Sequence, residues 1–252
     1  FYNHVNQLYS SEYPIVDMVL NNLLRGQDDT KMSQSDNLSL RSRSYRGAMN
    51  YLKSHSVEDA LKDPGITSDI LYQIVKLKSV TLKEQYFGLT IPTPDFDEFI
   101  RQYWEDHKYQ KVNFTSFDEE FTEKFGISWM KVLPEWYTVN QIPSFVILDA
   151  YMGDIDDGKQ TKEFWNTRSR IYVSIYNDSN VDGLVTLSYK EMSEPKGGRM
   201  SMALDNMTNH AENILVEAGK AKEIVIIPER GVISATLNTV ISGNVPTIIP
   251  II

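Results

Sequence analysis

The apolar residues of this chain recur at a helical period in its first half and at a strand period in its second. Ile15, Met18, Val19 and Leu23 fall on one face of a helix over 13–24. A polar stretch over 26–38, rich in Asp, Ser, Gln and Asn, reads as a surface loop. Short helices are expected over 44–52 and 57–61. Ser56 opens the second, with Asp59 three residues on, a pair that can satisfy each other's backbone N–H groups. Pro64-Gly65 breaks that run. A long helix follows from Ser68 to about Tyr86, with Ile70, Leu71, Ile74, Val75, Leu77, Val80 and Leu82 apolar and Gly88 as its stop. Asp95 is the expected cap of the next helix, whose Phe96, Phe99, Ile100 and Tyr103 line one face. Ser116 and Glu119 mark another start. There Phe117, Phe121 and Phe125 recur every fourth residue until Gly126. A last helix from Ser128 is expected to stop at Pro134, because proline lacks the N–H that would continue it.

Beyond Pro143 the pattern changes. Residues 146–165 are polar and contain Gly153 and Gly158, so they read as a linker. From 170 to 176, Ile171, Val173 and Ile175 alternate with Tyr172, Ser174 and Tyr176, the period of a strand with one face buried. Further strands are expected over 184–189, 213–216, 223–228 and 232–241, with 180–183 (Asn-Val-Asp-Gly) as the turn between the first two. The predicted fold class is α+β: an N-terminal α-helical domain (1–145), a linker (146–165) and a C-terminal immunoglobulin-like β-sandwich (166–252).

Composition narrows the function classes. The 252 residues are 41% hydrophobic and 23% charged, enough to bury a real core. A net charge of -9 argues against a nucleic-acid partner, because phosphate neutralisation needs clustered Lys and Arg. With no Cys, thiolate metal sites, disulfides and a Cys nucleophile are excluded. No apolar run approaches the roughly 20 residues that span a bilayer. The chain begins at Phe1 without a secretory leader, so it is expected to be a piece of a longer or processed polypeptide.

Candidate chemistry is sparse. His4, His55, His107 and His210 are scattered, and none has a partner at metal-ligand spacing. His107 sits at a helix end, where a cation suits the dipole, and His210-Ala-Glu212 reads as a polar loop. Acidic pairs such as Asp118/Glu119 sit where helix starts attract carboxylates. Residues 154–158 resemble a calcium loop without its spacing or terminal Glu. Residues 195–199 contain two Gly and a Lys but not the strand–loop–helix context of a phosphate cradle, and read as a hairpin tip. Trp129, Trp136, Tyr137, Phe145, Phe164 and Trp165 suit interdomain packing, or alternatively a sugar- or peptide-binding platform.

One ordered set goes further: Tyr72, Lys76, Phe87-Gly88, Phe99, Tyr103, Phe117, Phe125-Gly126-Ile127, Trp136 and Pro143. That order resembles the helical half of an M1-type (gluzincin) zinc aminopeptidase, the half that follows the zinc helix. The resemblance implies a helical subdomain followed by a β-sandwich, and a catalytic Tyr at Tyr72 that donates a hydrogen bond to the developing oxyanion. The family's Lys-Gly after that Tyr is here Lys76-Leu77, and no His-Glu-x-x-His occurs. The expected cofactor is therefore none in this chain, with zinc belonging to the full-length parent. The expected partners are the remainder of the same polypeptide, a membrane subunit and a peptide substrate. The expected location is extracytoplasmic, anchored through the parent, as in permease-linked peptidase heads. Two readings stay open beside this one: a scaffold module without enzyme activity, and a Tyr72 that merely packs on its helix.

Overall fold

A computed structural model describes residues 7–25, 45–155, 168–192, 207–239, 241–244, 246 and 248–252. The chain divides into two units, Phe1–Gln141 and Ile142–Ile252. The first is helical apart from one short strand pair, and the second is built of antiparallel strands, so the α+β class holds.

In the helical unit, strand β1 (Gln7–Tyr9) precedes α1 (Val16–Arg25), which buries Val16, Val19, Leu20 and Leu23. Helix α2 (Arg46–Leu52) and helix α3 (Val57–Lys62) follow. The Ser56/Asp59 capping box is fully formed: Asp59 N–H donates to Ser56 Oγ at 3.0 Å, and Ser56 N–H donates to Asp59 Oδ2 at 2.8 Å. These bonds to Ser56 hold the Asp59 carboxyl below its usual range. Helix α4 (Ser68–Thr81) buries Ile74 and Val75. Its continuation, Leu82–Phe87, widens into a π-helical turn closed by Gly88 N–H to Lys83 O at 2.7 Å. A Cβ at Gly88 would lie 3.1 Å from Glu84 O, a tight contact that glycine avoids.

Helix α5 (Thr93–Asp106) begins two residues before Asp95. Asp95 is therefore a first-turn acid beside Pro94 rather than the cap. Strand β2 (Lys111–Asn113) pairs in parallel with β1. Helix α6 (Phe114–Phe125) is capped by Asn113, whose side chain accepts from Thr115 N–H at 3.0 Å, so it too starts before the expected Ser116. It ends at Gly126 in the left-handed conformation (φ 73°), which glycine adopts without a Cβ clash. Helix α7 (Trp129–Thr138) runs through Pro134 instead of stopping there. Thr138 Oγ1 donates to Pro134 O at 2.7 Å, and Val139 N–H to Glu135 O at 2.9 Å, closing the last turn.

The second unit begins where a linker was expected. Residues 145–154 form β3 (Phe145–Asp154), and residues 156–165 lie outside the described part. The strands that follow are β4 (Ser169–Asn177), β5 (Gly183–Met192), β6 (Met207–Val216), β7 (Ala221–Ile226), β8 (Val232–Asn238) and β9 (Ile248–Ile251). They form a three-stranded sheet in the order β3-β4-β7 and a four-stranded sheet in the order β6-β5-β8-β9. The inner faces share one aliphatic core, with Ile171, Val173 and Ile175 from one sheet and Val185, Leu187, Val216 and Leu237 from the other. Asn177, fully buried, ties them together. Its Nδ2 donates to Val181 O and Val216 O, both at 2.9 Å, and its Oδ1 accepts from Ser179 Oγ at 2.6 Å.

Candidate functional site

Tyr72 lies in the second turn of α4 and is 40% exposed. Its hydroxyl has no hydrogen-bond partner among the described residues. Lys76 stands one helical turn further on and is half-buried. The resemblance implies zinc, and the donor sets fail to supply a site: among the described residues no three His, Cys, Asp or Glu side chains converge as metal ligands.

The group that sequence reasoning missed lies further along the same helix. Lys78 is buried on α4, and its Nζ stands 5.8 Å from the centroid of the Trp136 ring. Trp136, fully buried, donates from Nε1 to Lys78 O at 2.8 Å and so binds α7 to α4. Burial pushes the Lys78 ammonium down to about 8, against the opposing charge of Glu135. Glu135 in turn accepts from Tyr86 Oη at 3.1 Å. No motif announces this group, because Lys78 occupies a place in a Lys-x-Lys pair that sequence alone reads as solvated.

Around the C-terminal helices the unit packs ring on ring. Phe87 lies 4.6 Å from Trp129, Phe99 5.2 Å from Phe121, and Tyr103 5.0 Å from Phe117, centroid to centroid. Trp129 is consumed by this packing and Trp136 by its bond to α4, and with both rings fully buried neither offers an open platform. Asp118 is buried and takes two bonds at the start of α7, from Trp129 N–H and from Ser128 Oγ at 2.7 Å. It thus serves as a helix-capping carboxylate contributed by α6. Among the described residues, two donors in this core lack partners, Tyr103 Oη and Trp129 Nε1. Burial, with the Glu120 charge added, holds the Tyr103 phenol well above its ordinary range. His107 is the residue after α5, at the helix end expected from the sequence; its ring stacks on Tyr103 at 4.2 Å.

In the second unit, His210-Ala-Glu212 belongs to β6 rather than to a loop. His210 stacks on Tyr189, its register partner, at 4.7 Å, and places Nε2 2.9 Å from Glu191 Oε2. That approach is out of line with the ring N–H, so it is an electrostatic contact rather than a linear hydrogen bond. On the outer face of the three-stranded sheet, Tyr151 and Tyr172 stack at 5.1 Å, with Arg170 5.8 Å from the Tyr172 ring. Residues 156–158 of the calcium-like loop, 195–199, Phe164 and Trp165 lie outside the described residues.

No family model matches the chain, and no curated protein matches it. Among solved structures it is similar to a Bifidobacterium adolescentis GH3 β-glucosidase (14% identity, TM-score 0.26, covering 43% of this chain and 17% of that one). It is also similar to the C-terminal domain of wzt (13% identity, TM-score 0.24, covering 43% and 66%). A third is a Bacteroides uniformis β-glucuronidase (10% identity, TM-score 0.20, covering 40% and 11%). The chain thus spans under a fifth of the first of these enzymes, and at such TM-scores the likenesses decide neither fold family nor activity.

Proposed function

We propose that the chain is the helical subdomain and immunoglobulin-like β-sandwich of an M1-like zinc aminopeptidase-type protein. On this reading it supplies no metal ligand, and the remainder of an extracytoplasmic, membrane-associated parent completes the site. The observation that carries it is the order of parts. Tyr72 projects from a long helix, an aromatic helix pair follows, Gly126 turns the chain left-handed into the Trp129–Thr138 helix, and a two-sheet unit begins just after Pro143. Tyr72 is the side chain this unit offers to a catalytic half, since its hydroxyl is exposed and unengaged among the described residues. The test is hydrolysis of aminoacyl-p-nitroanilides by the full-length natural polypeptide. Tyr72→Phe is expected to lower kcat roughly 100-fold with KM little changed, the size of losing one oxyanion donor. An unchanged kcat, or a wild-type protein without hydrolysis, contradicts the proposal.

The second reading is a scaffold or interaction module of a membrane transporter assembly without enzyme activity. It is favoured by the exposure of Val146, Leu148, Tyr151 and Val225 on the β3-β4-β7 sheet, more apolar surface than a sheet face turned only to water needs.

A further inference from the structure

We propose that the outer face of the β3-β4-β7 sheet is a binding platform for a neutral, hydroxyl-rich polysaccharide. The inference uses residues of the second unit alone and does not depend on the peptidase reading.

The alternation of β4 sets the geometry. Ile171, Val173 and Ile175 enter the core, which turns Tyr172, Ser174 and Tyr176 outward. Register then builds rungs across the three strands. Tyr151, Tyr172 and Val225 form one rung, and Asp149, Ser174 and Glu223 form the next. Val146, Tyr176 and Ala221 form the third. Two residues of extended chain separate neighbouring rungs by about 7 Å. The face therefore reads aromatic, acceptor-rich, then aromatic again.

Each rung has a chemical counterpart in a sugar chain. The Tyr151 and Tyr172 rings lie 25° from parallel, and Tyr151 remains 39% exposed beside Val225 at 47%. Such a rung offers apolar area to the C–H face of a pyranose ring. Asp149 and Glu223 are acceptor-only groups when ionised, and Ser174 adds a hydroxyl, so the middle rung suits hydroxyl donors. Tyr172 Oη donates to Glu223 Oε1 at 3.2 Å, fixing the aromatic edge against the acceptor rung.

Charge and shape favour this occupant over others. Two carboxylates are offset by Arg170, which stands against the Tyr172 ring, so the face lacks the dense single sign that a polycation or a polyanion would need. Protein hot spots are anchor side chains sunk into pockets, whereas Tyr151 and Val225 stand exposed on a sheet face. Cross-strand stacking explains the Tyr151–Tyr172 pair as a stabilising contact, but it does not account for the apolar surface left open around it.

The test is affinity gel electrophoresis of the whole chain through gels holding soluble glucomannan, β-glucan or dextran, with polygalacturonate and oligolysine as charged competitors. We expect retardation by at least one neutral polysaccharide. Tyr151→Ala and Tyr172→Ala should each weaken it about tenfold while the variants stay folded, with a thermal midpoint lowered only by the loss of one cross-strand pair, and Tyr151→Phe should retain it. If Tyr172→Ala fails to fold, Tyr151→Ala carries the test. No retardation by any neutral polysaccharide overturns the proposal. Equal retardation of the Tyr→Ala variants, or preference for either charged competitor, does the same. None of these outcomes bears on Tyr72, which lies in the other unit.

Discussion

The two units solve the same burial problem with different materials. Among its described residues the helical unit fills its interior with rings, and it leaves two buried donors (Tyr103 Oη and Trp129 Nε1) without partners and one ammonium (Lys78) out of water. The described part of the sheet unit fills its interior mainly with branched aliphatics, bonds its buried Asn177 at both ends and leaves one buried atom, His210 Nε2, without a hydrogen bond. Rings are large and few, so their edges and polar atoms are hard to satisfy together. Small β-branched residues on a pleated surface leave the polar work to turns, where Asn and Ser reach backbone groups easily. The lesson is that polar groups left costly in a native fold concentrate in the helical unit, while the sheet unit is determined by geometry.

That contrast can be broken from either side. The largest effect is expected at Gly183, the first residue of β5. A Cβ there would lie 2.4 Å from Phe145 Cζ and 2.5 Å from Pro143 Cβ, so Gly183→Val should cost about 3 kcal/mol or more through overpacking. Urea unfolding followed by strand-specific hydrogen exchange measures it, and a wild-type midpoint would show that β3 gives way.

Lys78→Met should act in the opposite direction, stabilising the helical unit at pH 7 by up to about 3 kcal/mol, the cost implied by a fall from 10.5 to about 8. In the wild type the folded state holds fewer protons on Lys78 than the unfolded chain between those values. Stability of the helical unit should therefore rise with pH from about 8 toward 10.5, and Lys78→Met should flatten that slope. Tyr103 works the other way at higher pH. Its raised phenol contributes stability that is complete below the ordinary tyrosine value near 10 and is lost above it, so pH 8 to 10 is the clean window. Thermal midpoints of the wild type and Lys78→Met across pH 7 to 10 check both slopes.

The smallest effect in the set is Asn177→Ala, about 2 kcal/mol, because it strands the buried Val216 carbonyl and the half-buried Val181 carbonyl. Its midpoint shift should appear only in the sheet unit.

Much of this was legible in the sequence. The Ser56/Asp59 box, the Phe117–Phe121–Phe125 spacing, Gly126 and the alternation over 171–176 each state a local rule that the fold obeys. The failures share one cause, a local signal outvoted by context. Strand β3 reads as a linker because a register shift between Ile147 and Asp149 breaks its alternation and because Asp149, Gly153 and Asp154 imitate a loop. Strand β6 reads as a loop around His210 because its described outer residues are polar. Pro250 hides β9, which pairs only with β8 among the described strands, a place where a missing N–H is tolerated. Pro134 fails to stop α7 because packing of Trp129, Leu133 and Trp136 outweighs one lost backbone bond. For the candidate site, exposure of Tyr72 could be anticipated from its polar neighbours, whereas burial of Lys78 depends on Trp136, 58 residues away.

The most direct measurement is zinc stoichiometry, by inductively coupled plasma mass spectrometry, on the full-length natural polypeptide purified without added metal. One zinc per chain is the result expected of a peptidase whose helical and β parts are these. A metal-free protein that neither takes up zinc on titration nor changes its thermal midpoint would contradict the peptidase reading, and leave the two units as an interaction module.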